Sequence, residues 1–317
     1  MQQIICNMKR YFILILFLVS LASFSQDNLF SEEEVTITKH IEGTLLIPLD
    51  LDSRNPSLAI IIAGSGPTNR DGNQNFLKNN ALKKLAEGIS NNSIATFRYD
   101  KRIIKQIRQG KVDKDIMFDD FVSDATAVID YFKAKEIYNK IYVIGHSQGS
   151  LVGMLAAKDK ADGFISIAGA GQNIGDVLVK QITKMAPKLG EEAQKVVTKL
   201  KDEKTTTDYP ATLASVFSLD IQPFMINWMK YTPTEIIKEL KMPILIINGT
   251  KDLQVSEDEA KLLKVANDKT TLIIIENMNH VLFDIEGDDL ENSKSYNESN
   301  RPISPKLISS IMEFIRS

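Results

Sequence analysis

Apolar and polar residues alternate in the first part of the chain and then give way to longer apolar runs. The segments EVTIT and GTLLIPL are short and alternating, which predicts an antiparallel pair of strands. Further along, continuous β-branched runs such as SLAIIIAG (57–64) are typical of strands covered on both faces. The stretch FDDFVSDATAVIDYFKA (118–134) repeats apolar residues every three or four positions, which predicts an amphipathic helix.

Strand and helix patterns then alternate along most of the chain. Such alternation predicts a parallel sheet whose strands are joined by right-handed crossovers. Between about 172 and 240 the strand pattern lapses and helical spacing takes over. We therefore expect a helical insertion of these residues above the sheet edge at which ligands bind. The polar segment 287–305, near the end of the chain, gives no sign of its role.

Residues 1–25 have the layout of a secretory signal peptide. Two basic residues precede the apolar run YFILILFLVSLA (11–22), and small residues precede a predicted cut before Gln26. The run is too short for a comfortable membrane span, although an uncleaved anchor is the alternative. We expect one domain, 26–317, that is secreted or periplasmic and has no stable membrane insertion.

Composition excludes several classes of function. Loss of Lys9 and Arg10 would take the formal net charge from -3 to -5, which gives no electrostatic footprint for nucleic acid. The sole cysteine, Cys6, lies in the predicted signal segment, so the mature chain would have no disulfide and no thiol nucleophile. The three histidines are scattered and no H-E-x-x-H occurs, so we expect neither a metal nor an organic cofactor.

The stretch IYVIGHSQGS contains GHSQG (145–149), which fits G-x-S-x-G. It follows a strand and opens a helix, the setting that a nucleophile elbow requires. Gly145 and Gly149 remove side chains that would collide in so tight a turn, which pushes Ser147 out at the sheet edge. The alternative is an ordinary strand-to-helix turn in which Ser147 caps the helix.

A serine hydroxyl needs a base, and the base needs a carboxylate. His280 is the only histidine at a strand end downstream of the serine; His40 lies in the N-terminal hairpin region and His146 inside the elbow. Asp252 follows the strand PILIING, so Ser147, Asp252 and His280 come in the order serine, acid, histidine.

Other carboxylates are weaker candidates for the acid. Glu257 and Asp258 are typical of the first turn of a helix capped by Ser256, where acids complement the helix dipole. Asp284 follows His280 too closely to be the first choice.

An oxyanion needs two N–H donors. The first is predicted to be the backbone N–H of Gln148, the residue after the nucleophile. The second is predicted in the loop AGSGPTNRDGN (63–73), whose glycines allow close approach to a substrate. Ser65 is the chosen donor and Gly66 is next. A glycine-rich turn without a catalytic role is the alternative.

The chain resembles an α/β-hydrolase over nearly all of its length after the predicted signal segment. The segments that carry the likeness follow one another as in secreted or periplasmic esterases of the serine aminopeptidase-like branch: AGSGPTNRDGN, LKKLAEGISNNSIATFRYDKR, GHSQG, GTKDLQV and NHVL. The resemblance implies an α/β-hydrolase fold, with a mostly parallel eight-stranded sheet and a helical cap insertion. It also implies hydrolysis of carboxylic esters.

One departure from that family concerns the oxyanion loop. Many members have His-Gly before the oxyanion residue, whereas this chain has Ala63-Gly64. The donor is a backbone N–H, so the change should alter how the loop is held without abolishing it. The charged segment RYDKR (98–102) could orient the loop by pairing with Asp71, or it could be a structural ion-pair cluster.

The predicted substrate is a small-molecule ester with a short or medium acyl chain. An apolar acyl pocket could be lined by a helical cluster in the insertion, which would otherwise be core of the insertion itself: Phe224, Met225, Trp228 and Met229. A peptidase using the same triad is the second candidate, and it would need exposed acids to capture an amine, such as Glu191, Glu192 or Glu203. A non-catalytic binding module is the third.

Overall fold

A computed structural model describes residues 29–50 and 56–317, so the predicted signal segment lies outside the described residues. Eight strands form one sheet in the order β1-β2-β4-β3-β5-β6-β7-β8. They are β1 (Phe30–Thr36), β2 (Glu42–Pro48), β3 (Leu58–Ile62), β4 (Ala95–Tyr99), β5 (Ile141–His146), β6 (Gly163–Ile167), β7 (Ile244–Gly249) and β8 (Thr271–Ile275).

The directions of the strands follow the two sequence patterns. The alternating segments form β1 and β2, which pair antiparallel, and β2 is also antiparallel to β4. Every other neighbouring pair is parallel. The predicted sheet of eight mostly parallel strands is confirmed. Because β3 is buried at every residue, its continuous apolar run has the physical origin that the sequence indicated.

Helices cover both faces of the sheet. They are α1 (Ala81–Ser90), α2 (Arg102–Arg108), α3 (Phe118–Lys133), α4 (Gln148–Ala157), α5 (Ile174–Met185), α6 (Gly190–Lys201), α7 (Ala214–Phe217), α8 (Gln222–Met229), α9 (Pro233–Ile237), α10 (Glu257–Ala266), α11 (Asp289–Ser295) and α12 (Pro305–Arg316). One apolar core lies under α3 and α4, and the other lies under α1 and α12.

The connections place the site at the middle of the sheet. β3 has β4 on one side and β5 on the other, so the strand order reverses at this position. Ligands bind in such folds outside the carboxyl ends of the strands at the point of reversal. The loop after β3 and the turn after β5 therefore meet at one edge.

The chain between β6 and β7 is occupied by helices α5 to α9. This is the region in which the sequence predicts an insertion at about 172–240, and its standing as a separate cap stays a prediction. Within the described part of the chain, no helix combines the length and apolar character needed to cross a membrane.

Candidate active site

Ser147 occupies a strained turn between β5 and α4. Its backbone has φ 54° and ψ −121°, a conformation that costs roughly 1–3 kcal/mol and persists only where the surroundings impose it. A Cβ on Gly145 would collide with the carbonyl of Gly149, and one on Gly149 would collide with the carbonyl of Ile62. The two glycines therefore allow the turn to form, and the backbone N–H of Ser147 donates to the carbonyl of Ile167 at 2.9 Å.

His280 and Asp252 form a buried hydrogen-bonded pair. Nδ1 of His280 lies 2.8 Å from Oδ2 of Asp252, and only 4% of His280 is exposed. The other carboxylate oxygen accepts from the backbone N–H groups of Gln254 and Val255, both at 2.8 Å. Because a carboxylate only accepts, Nδ1 carries the proton and donates it, which leaves Nε2 as a base.

Ser147 and His280 line the same cavity of about 270 Å³. In the described part of the chain their side chains make no direct hydrogen bond. Catalytic hydrogen bonds are often long without substrate and tighten when the complex forms. The geometry thus brings together the serine, the histidine and the acid that the sequence selected.

The two predicted oxyanion donors belong to residues beside this serine. Gln148 is the first residue of α4, where backbone N–H groups have no partner within the helix. Ser65 lines the cavity together with Ser147. A Cβ built on Gly64 would lie 3.1 Å from Cβ of Ser147, so a glycine permits the close approach of the loop.

The other candidate carboxylates are not hydrogen-bonded to the histidine in the described residues. Glu257 and Asp258 sit in the first turn of α10, where both approach the ammonium of Lys261. Ser256 holds the N-cap position, but its side chain makes no capping hydrogen bond. Asp284 makes no hydrogen bond to His280 in the described residues.

The segment RYDKR anchors the oxyanion loop. Arg98 donates to Asp71 at 3.0 Å, which is the pairing that the sequence suggested. Asp100 accepts from the backbone N–H of Arg70 at 2.8 Å and from its guanidinium at 3.1 Å. The cluster therefore holds the loop through ion pairs and hydrogen bonds. None of the residues of RYDKR lines the cavity that Ser147 lines.

His146 is a site residue that the sequence did not identify. Nε2 of His146 donates to the backbone carbonyl of His280 at 2.8 Å, and the two rings lie 4.9 Å apart. Burial and the nearby His280 lower the pKa of His146 to about 3, so the ring stays neutral. A neutral ring with its proton on Nε2 can hold the His280 loop without adding a charge beside the base.

The polar segment 287–305 also gains a role from the structure. Asn292, on α11, is fully buried and joins two loops: it donates to the carbonyl of Lys251 at 2.6 Å and accepts from Asn279 at 2.9 Å. Lys251 precedes Asp252, and Asn279 precedes His280. The helix therefore ties the loop that carries the acid to the loop that carries the histidine.

A second cavity, of about 350 Å³, adjoins Ser147 on the side of α5 and α8. It shares Ser65, Ser147 and Gln254 with the first cavity. Most of its remaining wall is apolar: Leu151, Ile174, Val177, Leu178, Val216, Ile221, Met225, Trp228, Pro233 and Val255. In the residues that the structure describes, no group of three metal-ligating side chains is present.

The sheet order and the strained serine after its fifth strand define the chain as an α/β-hydrolase. Within that superfamily, the chain belongs to the family described as serine aminopeptidase, S33, whose model matches residues 79–288.

One curated relative is similar over most of the chain. Esterase EstD of Thermotoga maritima is 27% identical over 270 residues, which cover 81% of this chain and 61% of that protein. The chain therefore spans about three fifths of the length of this relative.

Two solved structures share the fold. Est1E from Butyrivibrio proteoclasticus has a TM-score of 0.55 at 15% identity, with 90% of this chain and 99% of that one covered. The acylaminoacyl peptidase of Pyrococcus horikoshii has a TM-score of 0.54 at 13% identity, with 92% and 42% covered. At these identities the likeness concerns the fold alone.

Proposed function

We propose that the protein is a serine carboxylester hydrolase with Ser147, His280 and Asp252 as its triad. The observation that carries the proposal is the buried bond from Nδ1 of His280 to Asp252, because it leaves Nε2 as a base in the cavity that Ser147 lines. The similarity to EstD, which is named an esterase, supports the same chemistry.

The mechanism follows from these positions. Oγ of Ser147 attacks the ester carbonyl while Nε2 of His280 accepts its proton and then passes it to the leaving alcohol. Asp252 orients the ring and stabilises the imidazolium. The N–H groups of Gln148 and Ser65 bind the tetrahedral oxyanion, each contributing about 3 kcal/mol in the transition state. Water then attacks the acyl-enzyme with His280 as base and releases the acid.

The two cavities receive the two halves of the substrate. The leaving alcohol must reach His280 to take up its proton, so it occupies the cavity that contains His280. The acyl chain then occupies the apolar cavity, above which α5 and α8 act as a cap. Of the four predicted apolar residues, Met225 and Trp228 line this cavity, whereas Phe224 packs against Phe121 at 5.7 Å between ring centres. We infer a short or medium acyl chain from its volume.

The walls of both cavities favour an ester over a peptide with a free amino terminus. Among the residues that the structure describes, no lysine, arginine, aspartate or glutamate lines either cavity. An aminopeptidase needs a carboxylate to capture the substrate ammonium. Glu192 and Glu203 approach Lys195 and Lys230 instead, at 2.7 and 3.9 Å.

Hydrolysis of p-nitrophenyl esters from two to sixteen carbons, compared with p-nitroanilides of free amino acids, tests this assignment. We expect turnover of the esters with an optimum at short or medium chains, and no turnover of the anilides, because no carboxylate of the described residues lines the cavities to pair with an ammonium. The assignment is wrong if anilides are cleaved and esters are not.

The substitution Leu178→Trp provides the matching test of the acyl cavity. Leu178 lies in the cavity wall on α5, so a larger side chain should move the optimum to shorter chains. Lys184→Trp, an exposed position on the same helix, should leave the optimum where it is in the parent. An unchanged profile in Leu178→Trp would place the acyl chain elsewhere.

The substitution Asn292→Leu should lower kcat about tenfold, because the loops of Asp252 and His280 lose their common tie and the triad is held less closely. Two buried polar groups would also lose a partner, so the protein should lose about 1–3 kcal/mol of stability. Ester kinetics and thermal unfolding measure the two effects. Ser293→Ala, an exposed change on the same helix, is the control. A lower melting temperature with unchanged kcat would reduce Asn292 to a structural role.

The layout of residues 1–25, which lie outside the described part of the chain, leads us to propose a secreted or periplasmic location. Mass spectrometry of the N-terminal peptide of the protein recovered from its native host would show whether cleavage occurs before Gln26, which can cyclise to pyroglutamate when it becomes the N-terminal residue.

A further inference from the structure

Lys101 is a buried cation immediately behind the oxyanion loop. The residue follows β4 and is only 5% exposed. Its ammonium donates to the backbone carbonyl of Gly64, to that of Gly66 at 3.3 Å and to Oε1 of Gln148 at 2.9 Å. An ammonium has three N–H donors, so these three acceptors occupy all of them. It lines neither of the two cavities next to Ser147.

These three acceptors lie at or beside the two residues that donate to the oxyanion in the proposed mechanism. Gly64 and Gly66 flank Ser65, and the third acceptor is the side chain of Gln148. The carbonyl of Gly64 and the N–H of Ser65 are the two ends of one peptide group. In a trans peptide these ends point in opposite directions, so a carbonyl held by Lys101 directs the N–H of Ser65 away from it, towards the cavity. The third bond holds the side chain of Gln148, whose own N–H is the other donor.

The charge of Lys101 also affects how strongly the N–H of Ser65 donates. A cation on the carbonyl polarises the peptide group, which makes its N–H a better hydrogen-bond donor. We propose that Lys101 is a positioning residue: its ammonium holds and polarises the peptide group that presents the N–H of Ser65, and it holds the side chain of Gln148, the residue of the other oxyanion donor. This inference rests on the proposed ester hydrolysis, and it explains how a loop with Ala63-Gly64 is held.

The surroundings of Lys101 make this role dependent on pH. Burial lowers the pKa of Lys101 to about 7, whereas its three acceptors favour the charged form. The groups that face it from neighbouring elements are Tyr99, Asp124 and His146. Asp124 is engaged by Arg102 at 2.8 and 2.7 Å, His146 is neutral, and burial raises the pKa of Tyr99.

The direction of the pH effect follows from these charges. The ammonium is present below its pKa and is lost as the pH rises through it. The uncharged amine keeps only two N–H donors for three acceptors, so the oxyanion donors loosen. We therefore expect kcat to fall on the alkaline side, from about pH 7 upward.

The test measures kcat and KM for p-nitrophenyl butyrate from pH 6 to pH 9 in the parent, Lys101→Met, Lys101→Arg and the control Lys105→Met on α2. In Lys101→Met we expect kcat at pH 6.5 to fall about tenfold to hundredfold with KM within about twofold, because the donors act mainly in the transition state. The alkaline fall should be absent in Lys101→Met. Lys101→Arg should retain part of kcat and keep it at higher pH, because a guanidinium stays charged.

A second readout does not depend on turnover. The amide resonances of Ser65 and Gln148, followed by ¹⁵N NMR over the same pH range, should titrate together in the parent and not in Lys101→Met. A parent that hydrolyses no ester would contradict the proposed function, and the amide titration would still decide the role of Lys101. The inference is overturned if kcat of Lys101→Met stays within about twofold of the parent, if the alkaline fall persists in it, or if its amides titrate as in the parent.

Discussion

Replacing Ser147 with alanine is expected to lower kcat for p-nitrophenyl ester hydrolysis by at least about 10⁴-fold. The change removes the nucleophile and leaves the oxyanion donors and both cavities in place. The side chain of Ser147 makes no hydrogen bond in the described residues, so we expect the stability to change by less than about 1 kcal/mol. A fluorophosphonate probe should label the parent at Ser147 and should not label the variant.

Ser150→Ala is the matched control for this substitution. Ser150 lies on the same helix and bonds to Ser166 at 2.7 Å, away from both cavities. Its loss should leave kcat within a few fold of the parent. Equal turnover by the parent and Ser147→Ala would exclude the elbow serine as nucleophile. If the parent neither turned over an ester nor reacted with the probe, a peptidase or a binding module would become the leading function.

Replacing Asp252 with asparagine should lower kcat by about 10⁴-fold at neutral pH. An amide in place of Oδ2 can present N–H to Nδ1 of His280, which favours the tautomer with its proton on Nε2. The ring then cannot accept the proton of Ser147. The oxygen that accepts from Gln254 and Val255 is retained, so the loop should keep its shape.

Asp258→Asn is the control for the loss of one negative charge elsewhere on the protein. Asp258 is exposed at the start of α10 and approaches only Lys261 in the described residues, so kcat should stay within about twofold. Steady-state kinetics with p-nitrophenyl butyrate and thermal unfolding of both variants provide the measurement. A loss of less than about tenfold in Asp252→Asn would show that another group orients His280.

Local patterns were sufficient for most of the fold. The run that forms β3 and the spacing that forms α3 are properties of neighbouring residues, and the structure has both elements within two residues of the predicted bounds, 57–64 and 118–134. Two helices escaped prediction, α2 and α11. The sequence of α11, DLENSKS, has no apolar stripe, because its buried face is made of Asn292 and Ser295, which bond to the loop of His280.

In the predicted insertion, the sequence pattern did not show which apolar side chains line a cavity. Phe224, Met225, Trp228 and Met229 have the same helical spacing, and the sequence could not tell a pocket wall from core. In the structure Met225 and Trp228 line the apolar cavity, whereas Phe224 does not. Trp228 also stacks on Phe118 at 5.4 Å between ring centres, in the same aromatic cluster as Phe224. Which of these side chains reaches the cavity depends on how α8 packs in the folded protein, and no local signal carries that information.

The sequence alone therefore determines the class of fold, the elbow and the order of serine, acid and histidine, because each depends on strand ends and tight turns that a few adjacent residues specify. Only the tertiary structure assigns His146 to the His280 loop, Lys101 to the oxyanion loop and Asn292 to the tie between the acid and the base. These contacts join residues 134, 37 and 41 positions apart in the chain. The role of a buried polar side chain depends on the group with which it forms a hydrogen bond. Because these partners are distant in the sequence, only folding brings them together.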